Sequence, residues 1–336
     1  MRRLLSATVY TRLALALAAT TAAVAAATTP AEAAGSGWRL VDLGTLGGAC
    51  CSQATAINDH GDVVGDSGTG PGMSPRHAFL WRHGRMVDLG TLGGTFSTAT
   101  DINNRRAIVG FSSLADGSTH AVLWRESGTI DLGTLGGLNS YATGVNDAGD
   151  VVGYSETGAS GLRAFVWHDG TMTELGLLNG GSAVANDIDA WGRVVGQSTV
   201  DGMNSVPVRW RLGYPTSLAS LNGTATATND DGQVAGYAFG GNGSFLWSDG
   251  TITDLGTLPG ATFVQAFGIN DRGEVVGYTD HDAFIWQGGR MTALPRPAGG
   301  ATGASALDVN DDGQVVGVGY TSDGGVSTAH AVLWSH

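Results

Sequence analysis

Few residues in this chain could do chemistry, and a repeat sets their spacing. Asp101, Asp187 and Asp308 fall at one register of a recurring segment, where its other copies carry Ala56, Gly144, Ala227 and Gly268. Three carboxylates at equivalent positions could hold a cation or act as acid and base; they could equally accept hydrogen bonds from backbone or arginine. Asp280-His281-Asp282 places an imidazole between two carboxylates in a short loop, the makings of a general base or a ligand contact. Arg76 closes a long loop and joins Asp280, His281 and Asp282 as a candidate ligand contact. The turns Asn58-Asp59-His60-Gly61, Asn146-Asp147-Ala148-Gly149, Asn229-Asp230-Asp231-Gly232, Asn270-Asp271-Arg272-Gly273 and Asn310-Asp311-Asp312-Gly313 suggest calcium loops. Ca²⁺ takes roughly six to eight oxygens, however, and one such turn supplies about half. No HExxH, CxxC or P-loop pattern occurs, so neither a metal site nor a cofactor is expected.

Three further features are read as structural. Gly65-Asp66-Ser67-Gly68 looks locally like the nucleophile segment of trypsin-type serine proteases, but it lies in a Gly/Ser-rich loop of a repeat with the wrong fold. His77, His120 and His330 share one register, which points to a recurring hydrogen bond. The only cysteines, Cys50 and Cys51, are neighbours and cannot staple distant parts of a fold. A vicinal disulfide would be strained. Cys51 falls where the next copy has Phe96, so small apolar packing is the preferred reading.

The elements that must position these residues come from internal repetition. The segment opening DLGTLGG at Asp131 is written seven times, opening at Asp42, Asp88, Asp131, Glu174, Ser217, Asp254 and Ala293, about 42 residues per copy. Each copy holds four short extended runs, in the first Ala54 to Asn58, Asp62 to Asp66, His77 to Trp81 and Arg85 to Leu89. Asn-Asp-x-Gly or His-Gly turns join the runs into antiparallel hairpins. The second run carries Val-Val-Gly in most copies. The third ends in Trp81, Trp124, Trp167, Trp210, Trp247, Trp286 and Trp334, read as anchors between packed sheets.

Four strands of that length per copy suit a propeller blade. The expected fold is therefore all-β, a single seven-bladed β-propeller of four-stranded antiparallel blades over residues 34–336. Trp38 to Leu43 reads as a fourth strand with no blade before it, and Trp334 ends a third strand with none after it, so the N-terminal strand is expected to complete the last blade. An open stack would leave sheet faces uncovered. The loops between second and third strands differ most between copies and share a face with the blade-to-blade loops. That face is the expected place for binding.

The chain of 336 residues has 14% charged residues and 55 glycines, too apolar for disorder and too Gly-rich for a helical protein. Residues 1–33 have Arg2 and Arg3, an Ala/Leu-rich stretch and Ala31-Glu32-Ala33, the layout of a secretory signal peptide rather than a membrane span. Its removal takes three arginines and one glutamate, moving the net charge from −13 to −15. Every basic residue is arginine, and a surface this acidic makes nucleic acid an unsuitable partner. A monomer outside the cytoplasm is expected.

His77-Ala78-Phe79-Leu80-Trp81, with His120-Ala121-Val122-Leu123-Trp124 and His330-Ala331-Val332-Leu333-Trp334, follows DLGTLGG and INDxGxVVG motifs. This pattern resembles the HAF-type probable extracellular repeat family across nearly the whole mature chain. It departs at Arg163, Pro207 to Trp210, Gly243 to Trp247 and Asp282, where the histidine is missing. The resemblance implies a secreted bacterial repeat protein and supplies no activity. The expected function is a binding module for a carbohydrate or a cell-surface partner. The alternatives are a polysaccharide hydrolase or lyase using Asp101, Asp187 and Asp308, and a structural envelope component.

Overall fold

The computed structural model describes residues 31–32, 37–47, 51–70, 75–158, 161–179, 181–240, 243–323 and 326–336. Every regular element among them is a β-strand. The expected secretory leader lies outside the described residues except for Ala31–Glu32, which pair antiparallel with Arg39 and Leu40. No described helix is long and apolar enough to cross a membrane.

The strands form antiparallel meanders in the expected order. Ala183–Ile188, Val194–Thr199, Ser205–Arg211 and Tyr214–Ser217 make one four-stranded sheet. Gly223–Thr228 to Thr251–Asp254 and Val264–Ile269 to Arg290–Ala293 make two more. Ala301–Val309, Val315–Asp323 and Val326–Ser335 receive Arg39–Asp42 at their edge, with Leu40 opposite Trp334 and Asp42 opposite Val332. The first three copies do not form separate sheets. They merge into one of twelve strands, because the ten-residue strands Gly93–Ile102 and Gly136–Val145 also reach back to the preceding copy. Each then touches the third strand of the preceding copy through one parallel pair, Phe96 with Arg76 and Asn139 with Thr119. Five sheets result where seven were expected.

Two devices repeat within the copies. The glycine after Val-Val lies under the neighbouring first strand, and a Cβ on Gly153 would stand 2.0 Å from the Tyr141 carbonyl oxygen. Each first strand also carries an irregularity in its register, as between Ala99 and Asp101, and this lets the chain turn inward.

Apolar clusters lie between consecutive copies. Leu123, Val145 and Phe165 pack between the second and third, and Val208 and Trp210 join Val152 between the third and fourth. Trp38, Leu40 and Trp334 pack with Leu294 and with Val276 of the sixth copy. Val316, Ala331 and Leu333 of the last copy pack with Ala54, Val63 and Phe79 of the first. Trp124, Trp167, Trp210, Trp247, Trp286 and Trp334 are buried, while Trp81 is half-buried.

Side chains at the Asn-Asp-x-Gly turns link the copies. Asn58 Nδ2 donates to the Asn103 carbonyl, Asn103 to Asn146, and Asn146 to Asp189. The fourth copy has Asp189 in place of the asparagine, and Arg193, paired with it, reaches the Asn229 carbonyl instead. Asn229 then donates to Asn270, Asn270 to Asn310, and Asn310 back to Asn58, 252 residues away.

Candidate functional site

Asp101, Asp187 and Asp308 do not converge on a reacting centre. Each sits at the irregularity of its first strand and receives backbone amides. Asp101 accepts from Ile102 N at 2.8 Å and from Val145 N of the next copy at 2.7 Å. Asp187 accepts from Ile188 N and Thr228 N, both at 2.8 Å, and Asp308 from Ile57 N at 2.9 Å, joining the last copy to the first. The registers between them hold Ala or Gly for a packing reason. A Cβ on Gly268 would lie 2.9 Å from Asp308 Cα, and one on Gly144 3.1 Å from Asp187 Cα.

The loop candidates are likewise engaged in holding loops. Arg76 pairs with buried Asp66 and reaches the Cys51 carbonyl at 3.3 Å. Burial raises the Asp66 pKa above its ordinary value even though Arg76 and Gln53 bind the carboxylate. Ser67, the neighbour that looked like a protease nucleophile, is buried and accepts from Leu46 N at 2.9 Å. Asp280 accepts from Thr262 N at 2.7 Å and Phe263 N at 3.2 Å; the Thr262 amide leads in lowering its pKa. Asp282 pairs with Arg296 at 2.6 Å. His281 is exposed, and its carbonyl accepts from Ala304 N at 3.0 Å. Cys51 is not merely packed: it is buried and disulfide-bonded, and Cys50, the one other cysteine, lies outside the described residues.

The motif histidines pair with the aspartates that open the DLGTLGG segments. His77 Nδ1 meets Asp88 at 2.8 Å, His120 Nδ1 meets Asp131 at 2.8 Å, and His330 Nδ1 meets Asp42 at 2.7 Å. In the third copy both partners change and the pair survives as Arg163 with Glu174 at 3.0 Å. The hydrogen bond that His330 donates to Asp42 raises the His330 pKa. Burial acts to raise that of Asp42, but His330 holds it below its ordinary value.

Two cavities lie on the inner face of the first strands. The one on the turn side, about 210 Å³, is rimmed by Asp59, Asp147, Asp230, Asp271 and Asp311. Each of four neighbouring turns passes a backbone amide to the next aspartate, as Asp230 N to Asp271 at 2.8 Å and Asp311 N to Asp59 at 2.9 Å. Burial, with the nearby acids, raises the pKa of Asp271 and Asp311. No group of three or more His, Cys, Asp or Glu among the described residues could hold a metal ion.

The other cavity, about 70 Å³, is mostly apolar. Phe111, Tyr141 and Tyr154 line one part of it, and Tyr237 and Phe267 another. These rings pack on one another and on Tyr278: Tyr141 stacks on Tyr154 at 4.9 Å and Phe267 on Tyr278 at 5.3 Å. Burial raises the Tyr278 pKa. A tier of threonines makes the floor, with hydroxyls turned into backbone. Thr100 Oγ1 lies 3.1 Å from the Val109 carbonyl and 3.0 Å from that of Ala142, and Thr143 and Thr226 repeat the arrangement. Asn186 donates to the Ala225 carbonyl at 2.6 Å. No charged side chain is among the described lining residues. This site carries no residue singled out from the sequence. Its available signal was the residue after Val-Val-Gly or its variants, aromatic at Phe111, Tyr154, Tyr237 and Tyr278.

No family model matches the chain, and no curated protein matches it. Solved β-propeller structures do resemble it in fold. A streptogramin B lyase aligns with TM-score 0.60 and 11% identity, covering 89% of this chain and 97% of its own. Virginiamycin B lyase from Staphylococcus aureus gives 0.54 and 11%, covering 89% and 99%. A puromycin-hydrolyzing peptidase of Mycobacterium tuberculosis gives 0.53 and 12%, covering 80% of this chain and 48% of that one. At such identities the likeness carries a propeller-type fold and no activity.

Proposed function

We propose that this chain is a secreted, seven-bladed β-propeller of the HAF-type repeat kind, its last blade completed by Arg39–Asp42. We further propose that it works as a binding module for an extracellular partner, a glycan or a cell-surface component. The asparagine bonds that return to Asn58 and the apolar cluster between last and first copies support ring closure. The binding reading is carried by one observation: the aromatic-walled cavity has no carboxylate, histidine, cysteine or arginine among its described lining residues. Concave, largely apolar sites with few polar groups are the usual form of a ligand pocket.

The enzyme reading is weaker. Two of the similar structures are named lyases, but the channel carboxylates Asp101, Asp187 and Asp308 are held by amides that would have to be released before they could act. A glycan array and a pull-down from cell envelopes test the proposal. Retention of a ligand by the native protein and its loss in Tyr154→Ala supports a binding module. No ligand of any class leaves the structural-component reading, and turnover abolished by Asp187→Asn without loss of folding restores the enzyme.

A further inference from the structure

We infer that the turn side of the first two copies docks an acidic glycan, through arginine contacts to its carboxylate or sulfate groups. The inference rests on the binding reading above but uses a different surface, the end of the molecule opposite the loops between second and third strands.

Charge marks this surface. The whole chain stands at −13, yet the turns 58–62, 82–85, 103–106 and 125–128 hold five arginines against Asp59, Asp62 and Glu126, a net +2. Four of these arginines are contiguous. Arg82 Nε and Arg106 Nε flank the buried Asp62 carboxylate at 3.3 and 2.6 Å, Arg85 is the strand partner of Arg82, and Arg105 adjoins Arg106. Asp59 is likewise taken up: its amide donates to Asn104 Oδ1 at 2.9 Å and its carboxylate accepts from Asn104 Nδ2 at 2.7 Å.

The second copy departs from the repeat at this point. Asn104 stands where five other copies carry aspartate, and Arg106 where all six others carry glycine. Like those glycines Arg106 lies at positive φ, +59°, a conformation costly for a residue with a Cβ. One turn thus loses a carboxylate and gains two guanidiniums. The pair with Asp62 accounts for Arg106. Arg85 and Arg105, by contrast, are exposed, and their side chains make no hydrogen bond or ion pair among the described residues.

The chemistry of the surface selects the occupant. A planar guanidinium donates to two oxygens of one oxyanion at once. These turns contain no hydrophobic residue, so a protein partner would lack the desolvated apolar anchor that carries most such interfaces, whereas charged sugars need none. Asp147 accepts the Asn104 amide at 2.9 Å, and with Asp150 and Asp169 it makes the adjoining third copy acidic. A nucleic-acid duplex, with a charge every 1.7 Å or roughly so, would lie across those acids. A short oligosaccharide would not, and salt screens exposed charges more than about 8 Å away.

Fluorescence anisotropy on the full protein tests this with a labelled oligogalacturonate and a dextran sulfate fragment, beside a neutral dextran and a short DNA duplex. At about 50 mM salt at least one charged oligosaccharide should bind, the tighter one identifying the oxyanion, and about 200 mM salt should weaken it several-fold; the neutral dextran and the duplex should not bind. Arg85→Ser and Arg105→Ser should each weaken binding about threefold, and the two together about tenfold. Neither side chain is bonded to the fold, so thermal melts of these variants should match the native protein. Tyr154→Ala should leave this binding unchanged. Failure of both charged oligosaccharides to bind, or binding that neither arginine variant alters, would overturn the proposal, while an array ligand lost in Tyr154→Ala would still keep the binding module. Duplex binding as tight as that of the oligosaccharides would overturn the glycan assignment. Charged-sugar binding lost in the arginine variants, with no array ligand sensitive to Tyr154→Ala, would support this surface and remove the cavity from the binding reading.

Discussion

Replacing Asp308 with alanine should destabilise the protein even though the residue touches no ligand. Asp308 Oδ2 accepts the Ile57 amide at 2.9 Å, and that bond spans 251 residues to join the last copy to the first. The equivalent Asp101 and Asp187 each take two amides at 2.7–2.8 Å. A hydrogen bond to a charged group contributes about 1.5–3 kcal/mol, and a stranded amide costs a comparable amount. Allowing for partial solvent access, about 2–4 kcal/mol is expected for each alanine variant. Unfolding entropy of about 2.1 cal/mol/K per residue over a chain of this size gives roughly 0.6–0.7 kcal/mol per degree, so Tm should fall by about 3–6 °C. Asparagine keeps one accepting oxygen but carries no charge, so Asp308→Asn should lose about half as much. Calorimetry on native, Asp308→Ala, Asp308→Asn and Asp101→Ala proteins measures this series. An Asp308→Ala Tm within a degree of native would refute the role given to these carboxylates, as would an asparagine variant as stable as the parent.

The His330–Asp42 pair predicts a pH dependence with a definite sign. The folded pKa of His330 is raised, so its contribution is full below about 6.5 and is lost as pH rises through the raised value; that of Asp42 is lowered, so its contribution is lost only as pH falls below about 3.8. Partial exposure limits the effect to about 0.5 kcal/mol, and exchange of the Arg39–Asp42 amides should therefore be slightly faster relative to the core at pH 8.5 than at 5.5, a difference that His330→Gln abolishes. Gly153→Ala should cost at least about 2–3 kcal/mol by denaturant titration, since its Cβ would stand 2.0 Å from the Tyr141 oxygen and 2.9 Å from Phe165 Cζ. Trp210, 1% exposed and donating to the Gly176 carbonyl at 2.7 Å, should cost about 3–5 kcal/mol when cut to alanine, and half-buried Trp81 about half that.

The repeat makes much of this architecture legible in the sequence. Four extended runs per copy, Val-Val-Gly second strands and the stray strand before Asp42 all read directly from periodicity, and the antiparallel four-stranded order follows from them. The partnership of motif histidine and aspartate was also present as a constant spacing of eleven residues, His77 to Asp88 and His120 to Asp131, kept when the third copy changed to Arg163 and Glu174. Other features depend on neighbours that lie a whole copy away. Asp101, Asp187 and Asp308 look chemical as a list of acids, and only the amides of Val145, Thr228 and Ile57 reveal their purpose. Merging of the first three copies turns on single pairs at the ends of two long strands, below what a strand pattern specifies. The aromatic cavity was hidden because its rings come from two positions per copy and from only some copies, whereas the tryptophans recur in all.

Amide exchange at Arg39–Asp42 tests ring closure most directly. If these four residues complete the last blade, the alternate amides of Arg39, Val41 and Leu43, which face the last strand, should be protected to nearly the same degree as that strand, and both segments should open together near the global unfolding limit. Exchange of the Arg39, Val41 and Leu43 amides within seconds while Val332 to Ser335 stays protected would contradict closure.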